Sequence, residues 1–82
     1  MDDGERIEVS ERVIVSPAVG FFQPLAGAFD VEAGDVIGHV AVAGQEAVPV
    51  RSPFRGRLVE VVAWRGERVL HHQRIAWLRL AA

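Results

Sequence analysis

No stretch of helical length in this chain carries apolar side chains at helical spacing without a Gly or Pro breaking it. What remains is a series of short β-branched runs set off by those same two residues. They are Arg12–Ser16 (RVIVS), Val36–Val42 (VIGHVAV), Ala47–Arg51 (AVPVR), Arg57–Ala63 (RLVEVVA) and Arg74–Leu80 (RIAWLRL). Branched and aromatic side chains fit a pleated, half-buried surface. Short strands with a turn signal every roughly 8–12 residues build an all-β sandwich or barrel. Pro49 has no N–H to give a ladder, which puts it on an edge strand or at a bend. Glu60 is expected to face water. Ile7 and Val9 alternate with polar residues in RIEVS, the pattern of one more strand. The chain is read as an acidic segment over 1–11 followed by a single domain over 12–82.

A repeat lies inside that domain. Ser16-Pro17-Ala18-Val19-Gly20 and Ser52-Pro53-Phe54-Arg55-Gly56 share the pattern SPxxG, each behind a β-branched run and ahead of an apolar one. Pro fixes φ near −65°, and Gly takes conformations or approaches that a side chain forbids, so the motif reads as one turn used twice. Each copy is followed by a Gly and an acid, at Gly34-Asp35 and Gly66-Glu67. The repeat is read as twofold pseudo-symmetry: two similar halves, each a few strands long, packed face to face.

Composition narrows the chemistry. The 82 residues make one domain, and with 50% of them hydrophobic a core needs no staples. Cys is absent, which excludes disulfides, thiol nucleophiles and thiolate metal sites. The start, MDDGERIE, reads as neither a signal nor a transit peptide, and no apolar run approaches the ~20 residues of a membrane span. A soluble, cytoplasmic protein without membrane contact is the expectation. Charge is unevenly placed: residues 1–50 balance to −7 and residues 51–82 to +5. The Arg residues stand singly among apolar neighbours, so the two halves are expected to attract each other within one fold, with no nucleic-acid partner. All nine basic residues are Arg; Lys, Asn, Thr and Tyr are absent.

In order and spacing, these pieces resemble the biotinyl/lipoyl carrier domains, especially the biotin carboxyl carrier protein of acetyl-CoA carboxylase. The resemblance runs from about Arg12 to Arg79. It rests on VIVSPAVGFFQP, VEAGDVIGHV and VRSPFRGRLVEVVAWRGERVLHHQRIAWL, similar to the family's Ser-Pro-x-x-Gly-x-Phe segment, its Gly-Asp turn and strand, and its closing strands. It implies a flattened barrel-sandwich hybrid of two four-stranded antiparallel sheets. It also implies a hairpin between the halves that presents one lysine, usually between two Met, to which a ligase joins biotin or lipoate. Counting from Gly34 places that lysine at Gly44, and counting back from Gly56 places it at Gln45, with Glu46 beside them. None of the three offers a primary amine, and guanidinium stays protonated near neutrality, so no Arg can take over. A carrier without an attachment point, and hence without biotin or lipoate, is the reading.

The other candidate residues are few. His39 lies mid-strand and reads as structural. His71-His72 could chelate one metal only from a turn, since neighbours on a strand point to opposite faces; an exposed loop is the reading taken, with no metal. Ser16 and Ser52 precede Pro in the repeated turn, where a structural role suffices. No paired carboxylates or phosphate loop point to catalysis, so no catalytic residue is assigned. Of the six aromatics most are expected in the core. Phe54 stands apart, between Pro53 and Arg55 in a turn. It either joins Arg51, Arg55 and Arg57 in an aromatic–arginine contact patch or tucks inward and leaves a solvated Arg face. Two functions are carried forward. One is a non-biotinylated pseudo-carrier acting through protein contacts, in an acyl-CoA carboxylase-like or biosynthetic complex. The other is a small enzyme or ligand-binding protein of specialised metabolism built on the carrier scaffold.

Overall fold

The structure, a computed structural model, describes residues 10–25 and 30–80; the strand expected around Ile7 and Val9 lies outside them. Eight strands follow in order: β1 Glu11–Val15, β2 Gly20–Pro24, β3 Asp30–Val31, β4 Val36–Ala41, β5 Val48–Arg51, β6 Gly56–Val61, β7 Arg68–Val69 and β8 Arg74–Leu80. They form two four-stranded antiparallel sheets, β1-β8-β6-β3 and β5-β4-β2-β7, the architecture of a barrel-sandwich hybrid. Pro49 sits on β5, an edge strand, where its missing N–H leaves no ladder bond unmade. Glu60 is exposed, as expected.

Exchanging β1–β4 with β5–β8 converts one sheet order into the other. The registers agree in detail. Ile14 opposes Ala76 as Val50 opposes Gly38, and Val13 opposes Trp77 as Pro49 opposes His39. A bulge between Ile14 and Val15 is matched by one between Val36 and Gly38. The halves interleave rather than forming one sheet each: either sheet takes two strands from either half. Alternation, shifted by the extra residue of each bulge at Ile37 and Ile75, sends Ile14, Phe22, Ile37, Val40, Val50, Ile75 and Leu78 into the space between the sheets, all buried. Each such side chain contributes about 1.5–3 kcal/mol of burial free energy. Both ion pairs among the described residues, Arg79–Glu11 at 3.1 Å and Arg55–Glu32 at 3.6 Å, join a second-half Arg to a first-half acid. Exposed pairs of this kind contribute at most about 1 kcal/mol each.

The SPxxG repeat builds two of the crossings between sheets, β1 to β2 and β5 to β6. Ser16 and Ser52 are buried, and their hydroxyls donate to the carbonyls of Ala18 at 2.7 Å and Phe54 at 2.6 Å. Two backbone bonds lock each crossing to a turn entering the other sheet. Ser52 N donates to Asp35 O at 2.8 Å and Gly34 N to Ser52 O at 2.7 Å. In the other half, Ser16 N donates to Gln73 O at 2.8 Å and His72 N to Ser16 O at 2.9 Å. The second-half counterpart of Gly34-Asp35 is therefore His72-Gln73, not Gly66-Glu67 as the sequence pattern had it. Gly66-Glu67 belongs to a different turn, between β6 and β7. At Gly20 and Gly56 a Cβ would stand 2.2 Å from the carbonyl oxygens of Ala41 and Arg79, so the close approach of two strands selects glycine at both.

Candidate functional site

β4 and β5 form the hairpin between the halves, and their last registered pair is Val40–Val48. At the tip Gln45 N donates to Val42 O at 3.3 Å, and Gly44 stands at φ 78° in the third position of that turn. Positive φ at the third position alone is the signature of a type II turn. All residues from Ala43 to Ala47 are exposed. The structure thus puts Gly44, Gln45 and Glu46 together at the outermost point of the hairpin, within reach of a second macromolecule. Gln45 presents a carboxamide there, whose nitrogen lone pair is delocalised into the carbonyl and is not a nucleophile. The tip offers hydrogen bonds and one carboxylate, and no acyl-accepting amine.

The four residues weighed for an aromatic–arginine patch, Arg51, Phe54, Arg55 and Arg57, each have contacts of their own. Arg51 donates to Gly34 O at 2.8 Å, and Arg55 pairs with Glu32 in the same β3–β4 turn. Arg57 lies opposite Asp30 and Arg79. Phe54 is 40% exposed and has the Arg12 guanidinium 5.7 Å from its ring centroid. Arg55, Arg57 and Arg79 do line one open cleft of about 460 Å³, together with Asp30 and Glu32. The two carboxylates, beside Arg57 and Arg55, offset most of the cationic field.

His71 and His72 occupy a turn, with both rings exposed and stacked at 3.8 Å between centroids. Among the described residues no three His, Asp or Glu side chains converge on a metal-sized site. His39 is half-buried on β4, between Gln23 and Pro49 on the neighbouring strands. The buried hydroxyls of Ser16 and Ser52 are committed to their turns and closed to a substrate.

The aromatics depart from expectation. Of the five in the described residues only Phe22 is fully buried; Trp77 is half-buried, Phe54 is exposed, and Phe21 and Trp64 are 51% and 69% exposed. The reason at Phe21 is alternation: once Phe22 enters the core, its neighbour on the strand points outward. That signal was available in the Phe21-Phe22 pair. Trp64 opens the β6–β7 turn, where its backbone N–H is held by the Glu67 carboxylate at 3.0 Å, and nothing in the composition marks it as exposed.

The fold and hairpin define an all-β barrel-sandwich domain with an exposed hairpin tip. No family model matches the sequence, and neither does any curated protein. Solved structures do share the fold. The Kluyveromyces lactis urea carboxylase matches 95% of this chain at a TM-score of 0.75 and 20% identity. A single-chain, multi-domain long-chain acyl-CoA carboxylase matches 96% at 0.75 and 17%. A succinylglutamate desuccinylase/aspartoacylase family protein from Shewanella amazonensis matches 84% at 0.70 and 17%. The chain spans 7%, 8% and 20% of the lengths of these proteins. Identities this low establish a shared fold. Among the described residues no helix is long and apolar enough to cross a membrane.

Proposed function

We propose that this chain is a pseudo-carrier: a carrier-type domain that acts through protein contacts and takes neither biotin nor lipoate. The observation that carries the reading is the tip, where the hairpin of a carrier is kept and exposed but holds Gly44-Gln45-Glu46 in a chain without a lysine. A carrier domain must be recognised by the enzymes it visits, so loss of the amine leaves a docking module. The two carboxylases that share its fold over most of its length support a place in an acyl-CoA carboxylase-like or biosynthetic complex. The test has two parts. Expressed with an active biotin ligase, the protein stays unmodified by streptavidin blot and intact mass, while Gln45→Lys takes up biotin or lipoate. Gln45 is the better site for lysine, because Gly44 has positive φ and a side chain there is strained. Biotin on the unaltered chain would overturn the reading. So would a pull-down, from cells expressing carboxylase or acyltransferase subunits, that recovers none of them.

A second reading has its own observation. The same fold occupies part of an aspartoacylase-family protein, which is compatible with a small enzyme, or a ligand-binding domain serving one, built on the scaffold. It requires a ligand in the cleft between Asp30 and Arg57, and a metabolite screen by thermal shift that finds none would remove it.

A further inference from the structure

The pseudo-symmetry separates what the fold requires from what it does not. On the outer face of one sheet, cross-strand neighbours Arg79 on β8, Arg57 on β6 and Asp30 on β3 make a charged row. The counterparts on the other sheet are Ala41 on β4, Phe21 on β2 and Arg68 on β7. The fold tolerates Arg where Phe21 stands, so packing does not demand a half-exposed aromatic there. Phe21 and Ala41 nonetheless form an apolar pair beside the hairpin tip, since Ala41 ends β4 just before it.

Charge distinguishes the same face. The strands β5, β4, β2 and β7 contain no Asp or Glu, whereas β1, β3 and β6 of the opposite sheet contain Glu11, Asp30 and Glu60. Arg68 flanks Phe21 directly. Arg65, from the β6–β7 turn, lies along β2, with donors 3.3 Å from Gln23 Oε1 and 3.4 Å from Pro24 O. Among the described residues neither Arg65 nor Arg68 has a carboxylate within ion-pair distance. The nearest acid in sequence, Glu67, spends its oxygens on Trp64 N and Gln73 Nε2. A protein of net charge −2 thus keeps one face cationic and aromatic. Aromatic and Arg side chains in this combination are enriched where proteins dock.

We infer that the outer face of the β5-β4-β2-β7 sheet, centred on Phe21 with Arg65 and Arg68, is the docking surface, and that its occupant is an acidic protein segment carrying an apolar anchor. Charge complementarity selects the occupant: the two guanidiniums call for carboxylates, and Phe21 with Ala41 for an apolar side chain between them. Two Arg on a small face are too few for the multiple phosphate contacts of a nucleic acid. The inference names the partner chemistry for the pseudo-carrier reading and rests on it for biological context, but its test is separate.

The test is a nuclear magnetic resonance titration of the full chain with a short peptide of Glu residues around a central Leu-Phe pair, against its Lys-for-Glu counterpart. The acidic peptide is expected to shift Phe21, Gln23, Ala41, Arg65 and Arg68, with affinity that falls as salt rises; the basic one shifts nothing. Arg65→Glu with Arg68→Glu should weaken binding roughly tenfold or more, because each reversal replaces an attraction to the peptide by a repulsion. Arg55→Glu with Arg57→Glu changes net charge equally and should leave it intact. Shifts centred on the Arg55–Arg57 cleft, or equal weakening in both double variants, would overturn the inference. So would binding to phosphatidylserine vesicles with none to the peptide, or a dimer that Phe21→Ser dissolves, which would give the face to a lipid surface or a second copy. If the Arg65/Arg68 variant still recovers the same carboxylase subunit as the parent, this inference fails and the pseudo-carrier reading stands. If the parent recovers no subunit while the peptide still maps to this face, the reverse holds.

Discussion

His72 stands at φ 71° in the third position of its turn, the one non-glycine with positive φ among the described residues. Its twofold counterpart, Gly34, takes the same kind of conformation at φ 95°. The two turns are closed identically: Asp35 N donates to Glu32 O and Gln73 N to Leu70 O, both at 3.0 Å, and a side-chain oxygen of Asp35 or Gln73 receives the N–H three residues back at 2.9 Å. A side chain in this region costs about 1–2 kcal/mol, and His tolerates it better than a β-branched residue does. His72→Gly is therefore expected to raise stability by up to about 1 kcal/mol, after the greater chain entropy of glycine is deducted. His72→Val should lower stability by about 1 kcal/mol or more. Urea midpoints at constant m-value read both, and the idea fails if Gly destabilises as much as Val. Gly56 is bound by space rather than by φ. Gly56→Ala drives a methyl against the Arg79 carbonyl, so a loss of about 3 kcal/mol or more is expected, and a neutral result would mean that β6 and β8 can part cheaply.

At the scale of strands, the contrast between Phe21 and Phe22 tests which half of the β2 pattern the fold uses. Phe22→Ala empties a fully buried position and should cost about 3–5 kcal/mol. Phe21→Ser removes a ring already half in water and should cost about 1 kcal/mol or less. Similar losses at both would mean that the outer face is covered in solution. The strands that can be read in the sequence are those whose apolar runs are long enough to alternate or cluster, namely β1, β4, β5, β6 and β8, with β8 at its observed ends. The two-residue strands β3 and β7 are fixed only by their partners, Arg57 and Gly56 for one and Gly20 and Phe21 for the other, and carry no local signal. The same limit hid the counterpart of Gly34. Leu70-His71-His72-Gln73 contains no glycine, so the matching turn is recognised only from its backbone bonds to Ser16. The hairpin tip was legible because it is a local feature counted from two motifs. The face around Phe21, Arg65 and Arg68 was not, because it gathers three separate segments.

For the whole molecule, the twofold relation makes a demand on connectivity. The pair β1–β8 is the counterpart of the pair β5–β4, so Ser10 and Leu80, joined by a backbone bond of 2.9 Å, stand to each other as the two sides of the hairpin tip do. A circular permutant that links Leu80 to Ser10 through a short Gly-rich loop and opens the chain between Gly44 and Gln45 should therefore form the same two sheets. Exposed loop tips are where such openings are tolerated. The permutation makes β8–β1 the local hairpin and β4–β5 the distant pair, and by symmetry the mean sequence separation of contacts hardly changes. Because folding rate follows that separation, the permutant should refold within roughly an order of magnitude of the parent, with the same far-ultraviolet spectrum. A rate lower by several decades would show that the sequence of the β4–β5 hairpin, rather than the topology, nucleates folding. A permutant that does not fold at all would mean that the two chain reversals are alike in geometry and unequal in stability. The hairpin with the altered tip would then be the element that holds the sandwich together.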